Sequence, residues 1–246
     1  MRTVGIDLAA EPAKTAVATV DWDVGSARVV DVRVGATDDD LAEAVPCADK
    51  CGIDAPFGWP DAFVDFVLAH RARRPQRELE LSSRAGRLPL VRRRTDRVVH
   101  EVTGIVPLSV SADLIAHVAL RCAGLLARLE VAGVDVDRVD GSVVEAYPAA
   151  ALQQWGLPFR GYKGSVNRAN LQALVASFDV QIAGLEFGEF RESCESSDDA
   201  FDAVVAAVIA RAAALGRTRM PRPADEDVAR REGWIHLPDA GLATLV

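Results

Sequence analysis

Four places in the 246-residue sequence set carboxylates at the ends of apolar runs. Asp7 closes Val-Gly-Ile-Asp-Leu-Ala, Asp54 lies in Gly-Ile-Asp-Ala-Pro-Phe-Gly, and Glu145 lies in Val-Val-Glu-Ala-Tyr-Pro. Asp199 and Asp202 share Ser-Ser-Asp-Asp-Ala-Phe-Asp-Ala. A charge inside or just after a buried strand is costly unless it is paired or bound to a metal. Asp199 and Asp202 stand three apart, so on a helix they share one face. Magnesium and manganese take oxygen ligands of this kind. Two such ions can activate water and stabilise the leaving oxygen in phosphodiester cleavage. Each acid also has a plainer reading. Asp7 and Asp54 can serve turns, Glu145 can pair with an arginine, and Asp199 can complement a helix dipole. Asp202 is harder to dismiss, because it shares the stripe of Val205, Ala206 and Ile209.

Basic residues offer a second kind of chemistry. The chain carries a net charge of -8, which excludes a basic field over the whole protein. Residues 71–97 nevertheless hold ten arginines against Glu78, Glu80 and Asp96. Within that stretch Arg93 and Arg94, with Asp96, are candidates to grip phosphate, since arginine binds phosphate oxygens bidentately. The plain alternative is a solvated loop paired with the acidic body. Tyr162 and Lys163, next to Gly164, form a loop that either touches phosphate or only turns the chain. Trp59 either lines a cleft or packs. The four histidines form no cluster, and His117, in an apolar run, is expected to be a satisfied core residue. Cys47, Cys51, Cys122 and Cys194 lack zinc-finger spacing and read as buried free thiols in a reducing compartment.

The elements that must position these residues follow from pattern. Strands are expected at 2–8, 14–22 and 27–34, the last two joined by the turn at 23–26 as a hairpin. Thr37 caps a helix with Asp38, Asp39 and Asp40 in its first turn that runs through Leu41 to Val45, where Pro46 ends it. A short buried strand follows at 50–55, then a helix at 61–73. The arginine-rich stretch, broken by Pro75, Gly86 and Pro89, reads as an insertion or lid at about 71–110 of a single domain. Helices at 113–131, 167–178 and 198–215 and a strand at 142–147 complete the order, with Pro148 starting the helix after that strand. A three-strand meander followed by strands alternating with helices implies an α/β fold, a mixed sheet covered on both faces.

The motifs named above, with Arg-Arg-Thr-Asp and Gly-Tyr-Lys-Gly, resemble the domain-of-unknown-function family 429 over nearly the whole chain. That resemblance implies an RNase H-like fold, a three-strand meander plus parallel strands flanked by helices, and a nuclease. The terminal Asp-x-x-Asp-Ala also resembles the last acidic motif of RuvC-type resolvases. By this likeness Asp7, Asp54, Asp199 and Asp202 hold Mg2+ or Mn2+, with Glu145 joining the catalytic set. The expectation is therefore a metal-dependent nuclease with nucleic acid as partner. An ATP-binding phosphotransferase of the actin and sugar-kinase type is the rival enzyme. It needs a glycine-rich phosphate turn after the first strand, where this chain has Leu8-Ala9-Ala10-Glu11-Pro12. A non-catalytic nucleic-acid-binding module is the third possibility. No run is apolar enough to span a membrane and nothing resembles a signal peptide, so a cytoplasmic protein is expected.

Overall fold

The structure, a computed structural model, describes residues 1–74 and 79–246. Strands β1 (Arg2–Asp7), β2 (Ala16–Asp23) and β3 (Ser26–Val34) form an antiparallel meander. After helix α1 (Asp38–Ala44), strand β4 (Lys50–Asp54) pairs parallel to β1. Helices α2 (Asp61–Arg71), α3 (Arg84–Val91), α4 (Arg94–Thr103) and α5 (Ile115–Val131) intervene before β5 (Val143–Glu145), which pairs parallel to β4. Then come α6 (Pro148–Gln154) and α7 (Arg168–Gln181), followed by a two-residue strand β6 (Leu185–Glu186) beside β3. The chain ends with α8 (Arg191–Ser196), α9 (Asp198–Ala214) and α10 (Glu226–Glu232). The sheet order is β5-β4-β1-β2-β3-β6.

Local chemistry fixes the elements on which the site depends. Thr37 and Asp40 form a reciprocal capping box at α1, each side chain accepting the other's backbone N–H. Ser197 caps α9 by accepting from Ala200 N. Pro148 opens α6, where its missing N–H costs nothing. The pleat then divides the core. Val4, Ile6, Cys51 and Ile53 pack on one side with Leu41 of α1 and Leu125 and Leu129 of α5. The other side is covered by α9, α7 and α6.

The sheet meets α9 through two glycines. Gly5 and Gly52 are register partners on β1 and β4. A Cβ on Gly5 would lie closer than 3.0 Å to the backbone of Ala203, Ala206 and Ala207. One on Gly52 would meet the carbonyl of Ala206 in the same way. The helix backbone therefore rests on bare strand, with only alanine side chains at the crossing. With α6, α7 and α8 packed on its other sides, α9 is buried nearly all round, and its alanines permit the close approach to the sheet.

Several sequence expectations change. The stretch at about 71–110 is not uniformly peripheral. Thr95, Asp96, Val99 and Thr103 of α4 are buried, so that helix belongs to the body. Arg77 and Glu78, counted in the arginine stretch, lie outside the described residues. Cys47 is exposed, whereas the other three thiols are buried. His117 is exposed, not a core residue. The buried histidine is His236, which bonds Thr218 Oγ1 at 2.8 Å and the Val139 carbonyl at 2.9 Å. Among the described residues no helix is long and apolar enough to cross a membrane.

The glycine crossing gives a direct test. Gly5→Ala drives a methyl group into helix backbone that cannot turn aside, so the cost falls at about 3 kcal/mol, the upper part of the overpacking range. Gly124→Ala, in the interior of α5 with open space at its Cβ, gains roughly 0.5–1 kcal/mol instead. Urea unfolding of the two variants, compared with the parent chain, measures both.

Candidate functional site

The same register that pairs Gly5 with Gly52 pairs Asp7 with Asp54 two residues further on. Side chains two apart on a strand share a face, so both carboxylates project on the α9 side of the sheet. Adjacent strands lie about 4.8 Å apart, which makes the two aspartates neighbours. On α9, Asp202 stands four residues before Ala206 and so lies one turn nearer the helix N-terminus on the same face. The crossing at Ala206 therefore carries Asp202 over the carboxyl ends of β1 and β4. Asp199 lies a further turn out and is half-buried.

Electrostatics records this convergence. Burial, followed by the charges of Asp202 and Asp54, raises Asp7 well above the usual carboxylate range. Burial pushes Asp54 up to about 7, with Asp202 and Glu145 adding to the rise and Lys163 opposing it. Neither the Asp7 nor the Asp54 carboxylate receives a hydrogen bond from the described residues. Asp202 is 0% exposed and is better provided. The Tyr162 hydroxyl donates to it at 2.9 Å, and the Lys163 ammonium stands 2.6 Å from its Oδ2.

Lys163 is the cation of this cluster. Burial disfavours its charge, but Asp202, Asp54 and Asp7 together outweigh burial and raise its pKa. Its side chain remains 54% exposed, so it bridges the carboxylates and solvent. The loop that presents it is bracketed by Gly161 and Gly164, both with positive φ. Tyr162 anchors that loop from inside, and Asp198 accepts from Gly164 N at 3.1 Å. Tyr162 thus positions the site from beneath and is not open to a ligand.

Glu145 stands apart from these aspartates. Its register partner is Ile53, so it projects on the opposite face from Asp54. There Arg93 grips it with two parallel bonds, of 2.8 and 2.7 Å, and Phe57 N donates at 3.0 Å. Arg93 also reaches Asp96 and the Glu232 carbonyl, so all five of its N–H donors are engaged. It is 2% exposed. The expectation that Arg93 and Asp96 face a substrate is corrected by this burial. They tie α4 to β5. Arg94 likewise pairs with Asp225 at 2.8 Å. Within the arginine stretch, the exposed arginines without an acidic partner among the described residues are Arg71, Arg73, Arg74, Arg84, Arg87 and Arg97.

Part of this arrangement had no sequence forecast. Glu232, on α10, accepts from Asp61 N at 2.8 Å and Arg94 N at 2.5 Å, capping two helices at once. Ile235 forms an isolated parallel bridge to Glu145, extending the sheet. The irregular sequence around these residues offered no period to read. A usable signal for the aspartate pair was present, because Gly-Ile-Asp occurs twice, at residues 5–7 and 52–54.

The donor set is all oxygen, and the two half-buried carboxylates, unpartnered among the described residues, suit a hard divalent cation. Among the described residues no group of three His, Cys, Asp or Glu side chains is arranged to enclose an ion. Lys163 supplies the compensating charge instead.

Fold and site together define an α/β protein with a six-stranded mixed sheet, its strand order consistent with an RNase H-like architecture, and a carboxylate cluster at the ends of its two central parallel strands. The chain belongs to the family described as "Protein of unknown function (DUF429)", whose model matches residues 5–226. No curated protein and no solved structure matches it.

Two outcomes follow from the electrostatics. Asp7 and Asp54 bind protons more readily in the folded than in the unfolded chain. The stability they contribute is present below the unfolded carboxylate range, about pH 4, and is lost as pH rises through about 7. The melting temperature of the metal-free protein should therefore fall between pH 5 and 8, Asp54→Asn should flatten that fall, and Lys163→Met should steepen it. Calorimetry across that range reads all three. Separately, Arg93→Met strands two buried carboxylates and should cost about 3–5 kcal/mol in a urea titration.

Proposed function

We propose that this protein is a metal-dependent phosphodiesterase acting on nucleic acid. The observation that carries the reading is the placement of Asp7 and Asp54, in register on one face, their carboxylates without hydrogen-bond partners among the described residues, beneath Asp202. A magnesium or manganese ion would be held by Asp7, Asp54 and Asp202, with Asp199 at the edge, and would supply an activated water and stabilise the leaving oxygen. Lys163, half exposed, is placed to yield Asp202 and to neutralise a phosphate oxygen as the polyanion arrives. Tyr162 and Asp198 fix the loop from which it acts. The exposed arginines of α2, α3 and α4 supply the local attraction that an acidic chain otherwise lacks.

The phosphotransferase reading finds less support. Its phosphate turn would need free backbone N–H groups after β1, yet Ala9 N donates to Thr15 Oγ1 at 3.2 Å. The Arg121 guanidinium closes the same turn through the Ala9 carbonyl. The free thiols accord with the reducing setting of a cytoplasmic enzyme.

The decisive assay offers DNA and RNA, single- and double-stranded, with manganese, magnesium or chelator. Cleavage should require the ion, and Asp7→Asn should reduce it to background while keeping the fold. Manganese should also raise the melting temperature of the parent chain more than that of Asp7→Asn. Binding without cleavage under every condition would identify a non-catalytic module. Replacing Arg71, Arg73 and Arg74 with alanine should flatten the salt dependence of binding, by about 0.7–0.9 in slope for each phosphate no longer neutralised, with the manganese shift unchanged.

A further inference from the structure

A cavity of about 160 Å³ opens beside Asp54. Its walls are apolar, formed by Pro56, Pro107, Leu108, Ile115 and Ile235, and Tyr147 lines it as well. Leu108 is 59% exposed, whereas Ile235, Glu145 and Arg93 are nearly inaccessible, so the cavity deepens from Leu108 toward the Arg93–Glu145 pair. Val106 and Leu114, in the segments on either side of Leu108, are also exposed apolar residues.

The chemistry of the lining selects among ligands. Arg93 has no donor left to offer, and its pairing with Glu145 and Asp96 gives the inner end no net positive charge. A phosphate or carboxylate group would find no opposite charge and no guanidinium donor there. A neutral ring would lose only water, since apolar walls with a few polar groups are what small neutral ligands meet in binding pockets. The Tyr147 hydroxyl lines the cavity and makes no hydrogen bond within the described residues, so its proton is free for a ring edge. Size points the same way. An apolar cavity of roughly 150 Å³ takes up a single six-membered ring.

We infer that this cavity receives one unpaired nucleobase, of single-ring pyrimidine size, from the strand whose phosphate lies at Asp7 and Asp54. The phosphate half of the inference rests on the phosphodiesterase reading, and the ring half does not. A base inside the cavity is unstacked and unpaired, so single strands enter freely while a duplex must first release a base at a cost of a few kcal/mol. Substrate choice then comes from a neutral recess beside the acidic cluster, and the exposed arginines contribute attraction without sequence preference.

The ring half is tested with a neutral probe, uridine, by saturation-transfer NMR on the metal-free full chain. Transfer to the ring protons is expected with the parent chain, weaker transfer with Tyr147→Phe, and none with Leu108→Trp, which fills the recess from its exposed end. An unchanged manganese-induced melting shift in Leu108→Trp confirms that the fold and the carboxylates are intact. No transfer with the parent chain, or transfer that survives Leu108→Trp, overturns the inference. Cleavage assays separate it from the reading on which its other half rests. Equal rates on single-stranded and duplex substrates would overturn the recess as a base site while leaving a nuclease. Uridine bound in the recess with no cleavage under any metal would keep the recess and remove the nuclease.

Discussion

Two in-register glycines carry the functional geometry of this protein. Gly5 and Gly52 remove the side chains that would hold α9 away from the sheet, and the close crossing at Ala203, Ala206 and Ala207 fixes the helix against β1 and β4. Asp7 and Asp54 lie two residues beyond the glycines and Asp202 one turn beyond the crossing, so their meeting follows from strand and helix periods alone. The cluster costs stability, because buried like charges repel one another. The broad alanine–glycine contact, the two flanking cores and the ion-paired loop at Lys163 offset that cost.

The opposite face of the same sheet carries a different kind of polar group. Glu145, Arg93 and Asp96 form a saturated network in which every guanidinium donor is used. Such a network adds specificity of docking more than net stability. Here it joins β5 to α4, and Glu232 holds the N-termini of α2 and α4 from the far end of the sequence. The recess beside Asp54 lies among these braced segments and is lined in part by Arg93 and Glu145.

The strands, the cap of α1 and the central aspartates were legible because each depends on local pattern. Alternation marks the strands, Thr37 and Asp40 form their own box, and the acids end apolar runs. Glu145 looked equivalent to Asp54 for the same reason. Their separation onto opposite faces depends on the β4–β5 register, in which Glu145 pairs with Ile53, and no single strand encodes its offset from a neighbour. Arg93 looked solvent-facing because, apart from Asp96, its partners are supplied by β5 and the end of α10, both distant in sequence. The role of Lys163 was masked in another way. A lysine between glycines suits a surface turn, and only the burial of Tyr162 beneath it aims the ammonium at the aspartates.

The dependence of the sheet on α9 also orders events during synthesis. The meander of β1, β2 and β3 is complete within the first 34 residues, yet the helix that covers one of its faces begins at Asp198. At translation rates of about 5–20 residues per second, that face waits on the order of ten seconds or more for its cover. Contacts this distant in sequence also slow folding. The nascent chain therefore carries an open apolar sheet surface, of the kind that chaperones shield from aggregation, until α9 has been made.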